Sequence, residues 1–337
     1  MYLTNEKVVV LGAAGAIGSN LAQILLATRT ANRVAMYDPL ERPLEGAAEE
    51  IYHCAFPQAE VAWTLSIDEA LKDAAYIISS GGAPRKEGMT REDLRRGNAE
   101  IAKQLGLGVK RLTPGCKFVI VIFNPADITG LTTLVHSGLP AGRVSTLAAL
   151  DSTRLQTALA QHFRVRQDRA TGCRTYGGHG EQMAVFKKGI AVEGTPLTDI
   201  LSGKKVNGIG MTAEEWTRVQ GHVRGGGARV ISLRGRSSFQ SPAQQSVQML
   251  RAVLGEPGYE WPCGAYVNAG NFRNIMMAMR VAISKEGVAW QQPEGDAEDL
   301  KALGESYKHL VALRDATIAD GILPPIAEWG RHNTHLV

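Results

Sequence analysis

The 337-residue chain contains no run of about 18 apolar residues, so no part of it reads as a membrane-spanning helix. Cysteine is sparse. Cys54, Cys116, Cys173 and Cys263 are widely spaced with no C-x-x-C pair, which fits free thiols in a reducing compartment rather than a disulfide framework. Strong charge is also missing: a formal +4, with a pI near 8.8, is too mild for a nucleic-acid binder and modestly favours small anions. Residues 1–7 lack the basic-then-apolar pattern of an export signal, because the first apolar run leads directly into a glycine loop. A cytoplasmic location with neither membrane nor nucleic-acid partner is the expectation. No internal repeat is visible. His332 and His335 have metal-like spacing, but a two-histidine chain end reads as a mobile tail, and no metal is expected.

Hydrophobic residues at 44% and charged residues at 21% are near globular averages, and 337 residues exceed what one core usually supports. Two domains are therefore expected, over residues 1–150 and 151–337. Branched apolar runs at 7–11, 33–37, 61–64, 74–79 and 117–123 alternate with helix-like periodicity at 17–27, 44–55 and 94–105. Such alternation predicts an α/β fold with a Rossmann-type, doubly wound parallel sheet. After Leu150 the rhythm changes to a helix over 153–162, irregular glycine-rich chain over 171–227, a helix over 244–254 and an amphipathic helix through Leu303, Leu310 and Ile318. That half reads as a mixed α+β domain for substrate and catalysis. Thr212 and Glu215 have capping-box spacing, so a helix should begin there.

Gly12, Gly15 and Gly18 close the first strand and open the first helix, where missing side chains let backbone amides approach a pyrophosphate. The loop departs from strict G-x-G-x-x-G, since Ala13 holds the first glycine position and Gly12 precedes it. Asp38 ends the second strand about 20 residues later, placed to accept from ribose hydroxyls or, alternatively, to start a helix before Pro39. A carboxylate there repels a 2′-phosphate, so NAD is favoured over NADP. Asn124, at the end of another strand, either holds cofactor or substrate or bonds its own turn before Pro125. Asn98 is a further cofactor candidate or an ordinary polar helix residue.

His179 is flanked by Gly178 and Gly180, which leaves the imidazole room to approach a ligand closely, and a histidine exchanges protons near neutrality. A structural histidine is the plainer alternative. Asp151 and Arg154, three apart on a predicted helix, either share a cavity or form a helix cap with a surface arginine. Placed beside His179, Asp151 would fix its tautomer and support its protonated form. Arg85 and Arg91 lie in the glycine-bounded segment 81–91, which reads as a cationic lid; for Arg85 a solvated surface charge is the alternative. A planar guanidinium grips a carboxylate through two parallel bonds. Arg154 would hold the carboxylate beside the reacting carbon, Arg91 polarise the carbonyl, and Arg85 pair with a distal carboxylate.

The GAAGAIG loop, Asp38, the GGAPRKEGMTR segment, NPADI, LDSTR and GGHG occur in one order, and in this the chain resembles the lactate/malate dehydrogenase family over about residues 7–325. The resemblance implies cofactor contacts at Gly12, Gly15, Gly18, Asp38, Asn98 and Asn124. It implies substrate contacts at Arg85, Arg91 and Arg154, and a proton relay of Asp151 and His179. Arg85 stands where lactate-specific relatives typically carry glutamine, so a dicarboxylate such as malate or oxaloacetate is the implied substrate, with NAD as cofactor. A homo-oligomer, dimer or tetramer, is implied as well. Two departures stand out: Gly178 where many relatives have glutamate, and the arginine- and glycine-rich stretch 224–239. Ser241, Pro242 and Ala243 fall where the family lines the nicotinamide with small residues; a proline-led helix start is the alternative. Competing readings are a lactate or other 2-hydroxyacid dehydrogenase and a non-catalytic NAD-binding sensor.

Overall fold

A computed structural model describes residues 1–83 and 91–336, with Arg91 described in its backbone. Residues 84–90 of the lid segment, Arg85 among them, thus lie outside the described residues, and Arg91 enters as the first residue of a helix. The amino-terminal half alternates strand and helix: β1 (Val8–Leu11), α1 (Ala16–Ala27), β2 (Arg33–Tyr37), α2 (Glu41–His53), β3 (Glu60–Thr64), α3 (Ile67–Leu71), β4 (Tyr76–Ser79), α4 (Arg91–Leu112), β5 (Phe118–Val121), α5 (Ala126–Ser137), β6 (Val144–Leu147) and α6 (Ala149–Phe163). These strands pair in parallel in the order β3-β2-β1-β4-β5-β6. β1, β4, β5 and β6 are buried at every position, as strands covered by helices on both faces must be. Strand order reverses between β1 and β4, and this switch point opens the crevice where such sheets bind ligands.

The carboxyl-terminal half begins with short strands, β7 (Ala170–Thr171), β8 (Thr175–Tyr176), β9 (Ala184–Val185), β10 (Ala191–Val192) and β11 (Thr195–Pro196). Helices α7 (Leu197–Leu201), α8 (Ala213–Arg224), α9 (Gly226–Arg234) and α10 (Gln240–Val253) follow, then β12 (Cys263–Ala269), β13 (Phe272–Ser284), β14 (Gly287–Gln291), α11 (Ala297–Ala319) and α12 (Trp329–His332). β12 pairs antiparallel with β6 through Cys263 and Leu147, and β13 and β14 continue outward to make nine strands. One sheet therefore runs across residue 150. This is the expected fold class, a Rossmann-type parallel sheet with a mixed second half. No helix among the described residues is long and apolar enough to cross a membrane.

Several expectations are corrected. The stretch 171–227 is not irregular: it holds α7 and α8, the latter opened by the Thr212–Glu215 capping box. α5 shows no amphipathic rhythm because every one of its residues is buried, between the sheet and α4. The chain end is docked rather than loose: Asn333 is 1% exposed and donates to the Leu134 and Leu139 carbonyls, while Lys110 donates to the His332 carbonyl. Burial of Trp329 adds apolar attachment at the same place.

Candidate active site

At the switch point, Gly12 adopts φ +80°, and a Cβ there would lie 2.6 Å from the Gly81 Cα at the end of β4. A Cβ on Gly18 would come within 2.1 Å of the Gly12 carbonyl oxygen, so only glycine lets α1 start against the loop. Gly15 is the N-cap of α1 and supplies no capping side chain, which leaves first-turn amides facing the crevice without a side-chain acceptor. Asp38, 7% exposed, follows β2, accepts from the Ala14 amide at 3.2 Å and from the Leu40 amide at 3.1 Å, and is not the N-cap of α2. Uncapped amides, a cradle that side chains would fill, and a carboxylate across the loop suit a dinucleotide's pyrophosphate and adenosine ribose.

The carboxyl ends of β5 and β6 lead to the other cluster. α6 begins at Ala149, so Asp151 and Arg154 sit in its first two turns, with Asp151 at 2% exposure. Asp151 bridges a guanidinium and an imidazole. Its Oδ1 accepts from Arg154 at 2.9 Å and its Oδ2 faces His179 Nδ1 at 2.6 Å. A carboxylate can only accept, so Nδ1 carries the hydrogen and Nε2 is left to exchange protons with a ligand. The Asp151 charge, reinforced by its hydrogen bond and by Asp127, raises the His179 pKa against opposing desolvation and Arg154. Arg154 also lines a cavity of about 860 Å³ with His222, Gly226, Arg229 and Ser241. Ser241 and Pro242 lie in the first turn of α10, the helix start that was the alternative to a nicotinamide wall.

Asn98, expected as a cofactor contact, bonds two stretches of backbone. It is 2% exposed; its amide accepts from the Ala83 N–H at 2.8 Å and donates to the Ala83 carbonyl and, at 2.7 Å, to that of Asn124. It joins the chain after β4 to the chain after β5. The Asn124 side chain itself is exposed at the sheet's carboxyl edge. Sequence reading assigned no role to Asp127, which is buried in α5 and accepts the His179 backbone N–H at 2.9 Å. Ser306 was also missed; from α11 it accepts the Gly178 N–H at 2.8 Å. The only sequence hint was Asp127's place three residues after Asn124 in NPAD. Among the described residues no cluster of three or more metal-ligating side chains occurs.

A dinucleotide crevice beside a carboxylate-held imidazole defines an NAD-dependent oxidoreductase. The chain belongs to the lactate/malate dehydrogenase family: the family's NAD binding domain matches residues 6–146 and its alpha/beta C-terminal domain residues 148–312. A malate dehydrogenase of Pelagibacter ubique is 31% identical over 317 residues, 92% of this chain and 97% of that one. The crystal structure of malate dehydrogenase from Plasmodium falciparum superposes with a TM-score of 0.85 at 25% identity, covering 94% of this chain and all of that one. A Cryptosporidium parvum lactate dehydrogenase, complexed with lactic acid and nicotinamide adenine dinucleotide, superposes at 0.83 with 28% identity, covering 93% and 98%.

Proposed function

We propose that the protein interconverts malate and oxaloacetate with NAD, using His179 and Asp151 as the proton relay. The observation that carries this reading is Asp151 bridging Arg154 and His179, which ties a carboxylate-binding group to a proton carrier. NAD supplies the hydride acceptor, and in its reduced form the donor. Neutral His179 takes the substrate hydroxyl proton at Nε2, and Asp151 stabilises the imidazolium that forms. Arg154 holds the carboxylate beside the reacting carbon, Arg91 polarises the carbonyl and Arg85 pairs with the distal carboxylate. Asn124 stands at the crevice edge for substrate or ribose. Gly12, Gly15, Gly18 and Asp38 take the cofactor, while Asn98 acts through Ala83 and Asn124.

A division into residues 1–150 for cofactor and 151–337 for substrate agrees with this distribution. Free Cys54, Cys116, Cys173 and Cys263 suit a cytoplasmic setting. Exposed Ile231 and Leu233 on α9 suit burial in a homo-oligomer. A lactate-type substrate is the second reading, supported by the likeness to the Cryptosporidium parvum lactate dehydrogenase. A sensor without chemistry is disfavoured by the assembled His179–Asp151 pair. Replacing the proton carrier tests the proposal: His179→Asn should cut turnover about 10²- to 10⁴-fold in an NADH-oxidation assay while NADH affinity holds. Turnover near that of the parent protein would remove His179 from the reaction.

A further inference from the structure

The proposed relay uses one carboxylate, yet a second, equally buried one touches the catalytic loop. Asp127 lies in the first turn of α5, is 4% exposed, and accepts the backbone N–H of His179 at 2.9 Å. α5 is buried along its whole length, so it is a rigid base for that contact. The same loop is held from two other sides: Gly178 donates to Ser306, and Gly177 exchanges backbone bonds with Ala278 of β13. Of these anchors Asp127 alone carries charge.

We propose that Asp127 is a positioning residue for proton transfer, one that fixes the His179 loop through its backbone N–H and adds a second negative charge beside the imidazole. This rests on His179 being the proton carrier. Among the described residues, the leading charges acting on His179 are Asp151, Asp127 and Arg154, and those acting on Asp127 are His179 and Asp151. Several charges on other elements packed on α5 are engaged elsewhere. Arg95 of α4 pairs with Asp320, Arg314 of α11 with Asp315, and on β13 Arg280 lies near Glu294 while Arg273 donates to the Asn268 carbonyl. His332 of α12 meets His136 in the last turn of α5, away from Asp127 in its first. In the loop itself Glu181 is exposed.

Asp127 favours the imidazolium, so removing its charge lowers the proton affinity of His179. Reduction of the oxo acid needs protonated His179, and its rate therefore falls on the alkaline side. In Asp127→Asn, which keeps an acceptor for the His179 N–H and loses the charge, the alkaline limb of kcat/KM should move to lower pH. In Asp127→Ser, whose shorter side chain loses the contact, kcat should drop about 10- to 100-fold across the profile. NADH binding, followed by fluorescence, should be unchanged in both. An Asp127→Asn limb at its original pH, with kcat unchanged, overturns the proposal. So does loss of NADH binding in both variants, since that makes Asp127 a residue of the fold alone. His179→Asn is run in parallel. If it keeps its turnover, the underlying reading fails and takes this proposal with it, which sets that failure apart from an Asp127 failure.

Discussion

At Asp151 the two carboxylate oxygens have separate partners, Arg154 and His179, so a single buried charge aligns the proposed anion clamp with the proposed proton carrier. Asp127 has a different consequence. Burial pushes its carboxyl up from 3.8 to about 6, despite the His179 N–H and imidazole, which act in the opposite direction. The folded state then holds this proton more tightly than the unfolded chain. Its contribution to stability is present below pH 3.8 and is lost as pH rises through about 6. His179 acts with the same sign, because its pKa is raised mainly by Asp151 and its contribution disappears as pH rises through the folded value. Asp127→Asn should therefore be more stable than the parent protein at pH 7.5, by on the order of 3 kcal/mol, with the gap closing toward pH 4. Calorimetry at the two pH values checks this, and an identical gap at both would show that the buried charge carries no such cost.

Helix α9 grows from a stretch whose arginines and glycines had no assigned purpose, and its first residue supplies one. A Cβ on Gly226 would stand 2.8 Å from Arg154 Cδ and 3.1 Å from Nε, so the glycine leaves space for the guanidinium stem. Gly226→Ala should displace Arg154, raising KM for the oxo acid about tenfold with NADH affinity unchanged. Steady-state kinetics beside NADH titration would show it, and an unaltered KM would mean that Arg154 tolerates the shift. The parallel strands were legible because branched apolar runs ending in glycine, asparagine or aspartate mark buried strands at a sheet's carboxyl edge. α5 was not, since a helix buried on every side has no amphipathic period. Nor were β12 and β13 recognisable, as their place is set by antiparallel pairing that starts more than a hundred residues earlier, at β6. Separations of 52 and 128 residues hid Asp127 and Ser306, whose partners are backbone groups of the His179 loop rather than spaced side chains.

Across the molecule, the two halves are joined by a continuous sheet and by the chain end, which returns to the cofactor-binding half. Asn333 bonds two buried carbonyls at the far end of α5, the helix that carries Asp127. Asn333→Ala strands both acceptors and should cost about 1–3 kcal/mol in denaturant unfolding, with kcat of the folded protein unchanged; no loss would mean that the chain end is not docked in solution. The site itself needs both halves: the crevice of β1 and β4 for the cofactor, α5 and α6 for Asp127, Asp151 and Arg154, and the loop after β8 for His179. The proposed substrate of this junction is a doubly charged acid. The direct measurement compares kcat/KM for oxaloacetate and pyruvate with NADH under identical conditions. With Arg85 as the proposed partner of the distal carboxylate, leaving that guanidinium unpaired should make pyruvate poorer by roughly 10⁴- to 10⁵-fold. Equal efficiencies would contradict a dicarboxylate substrate and favour the lactate-type reading.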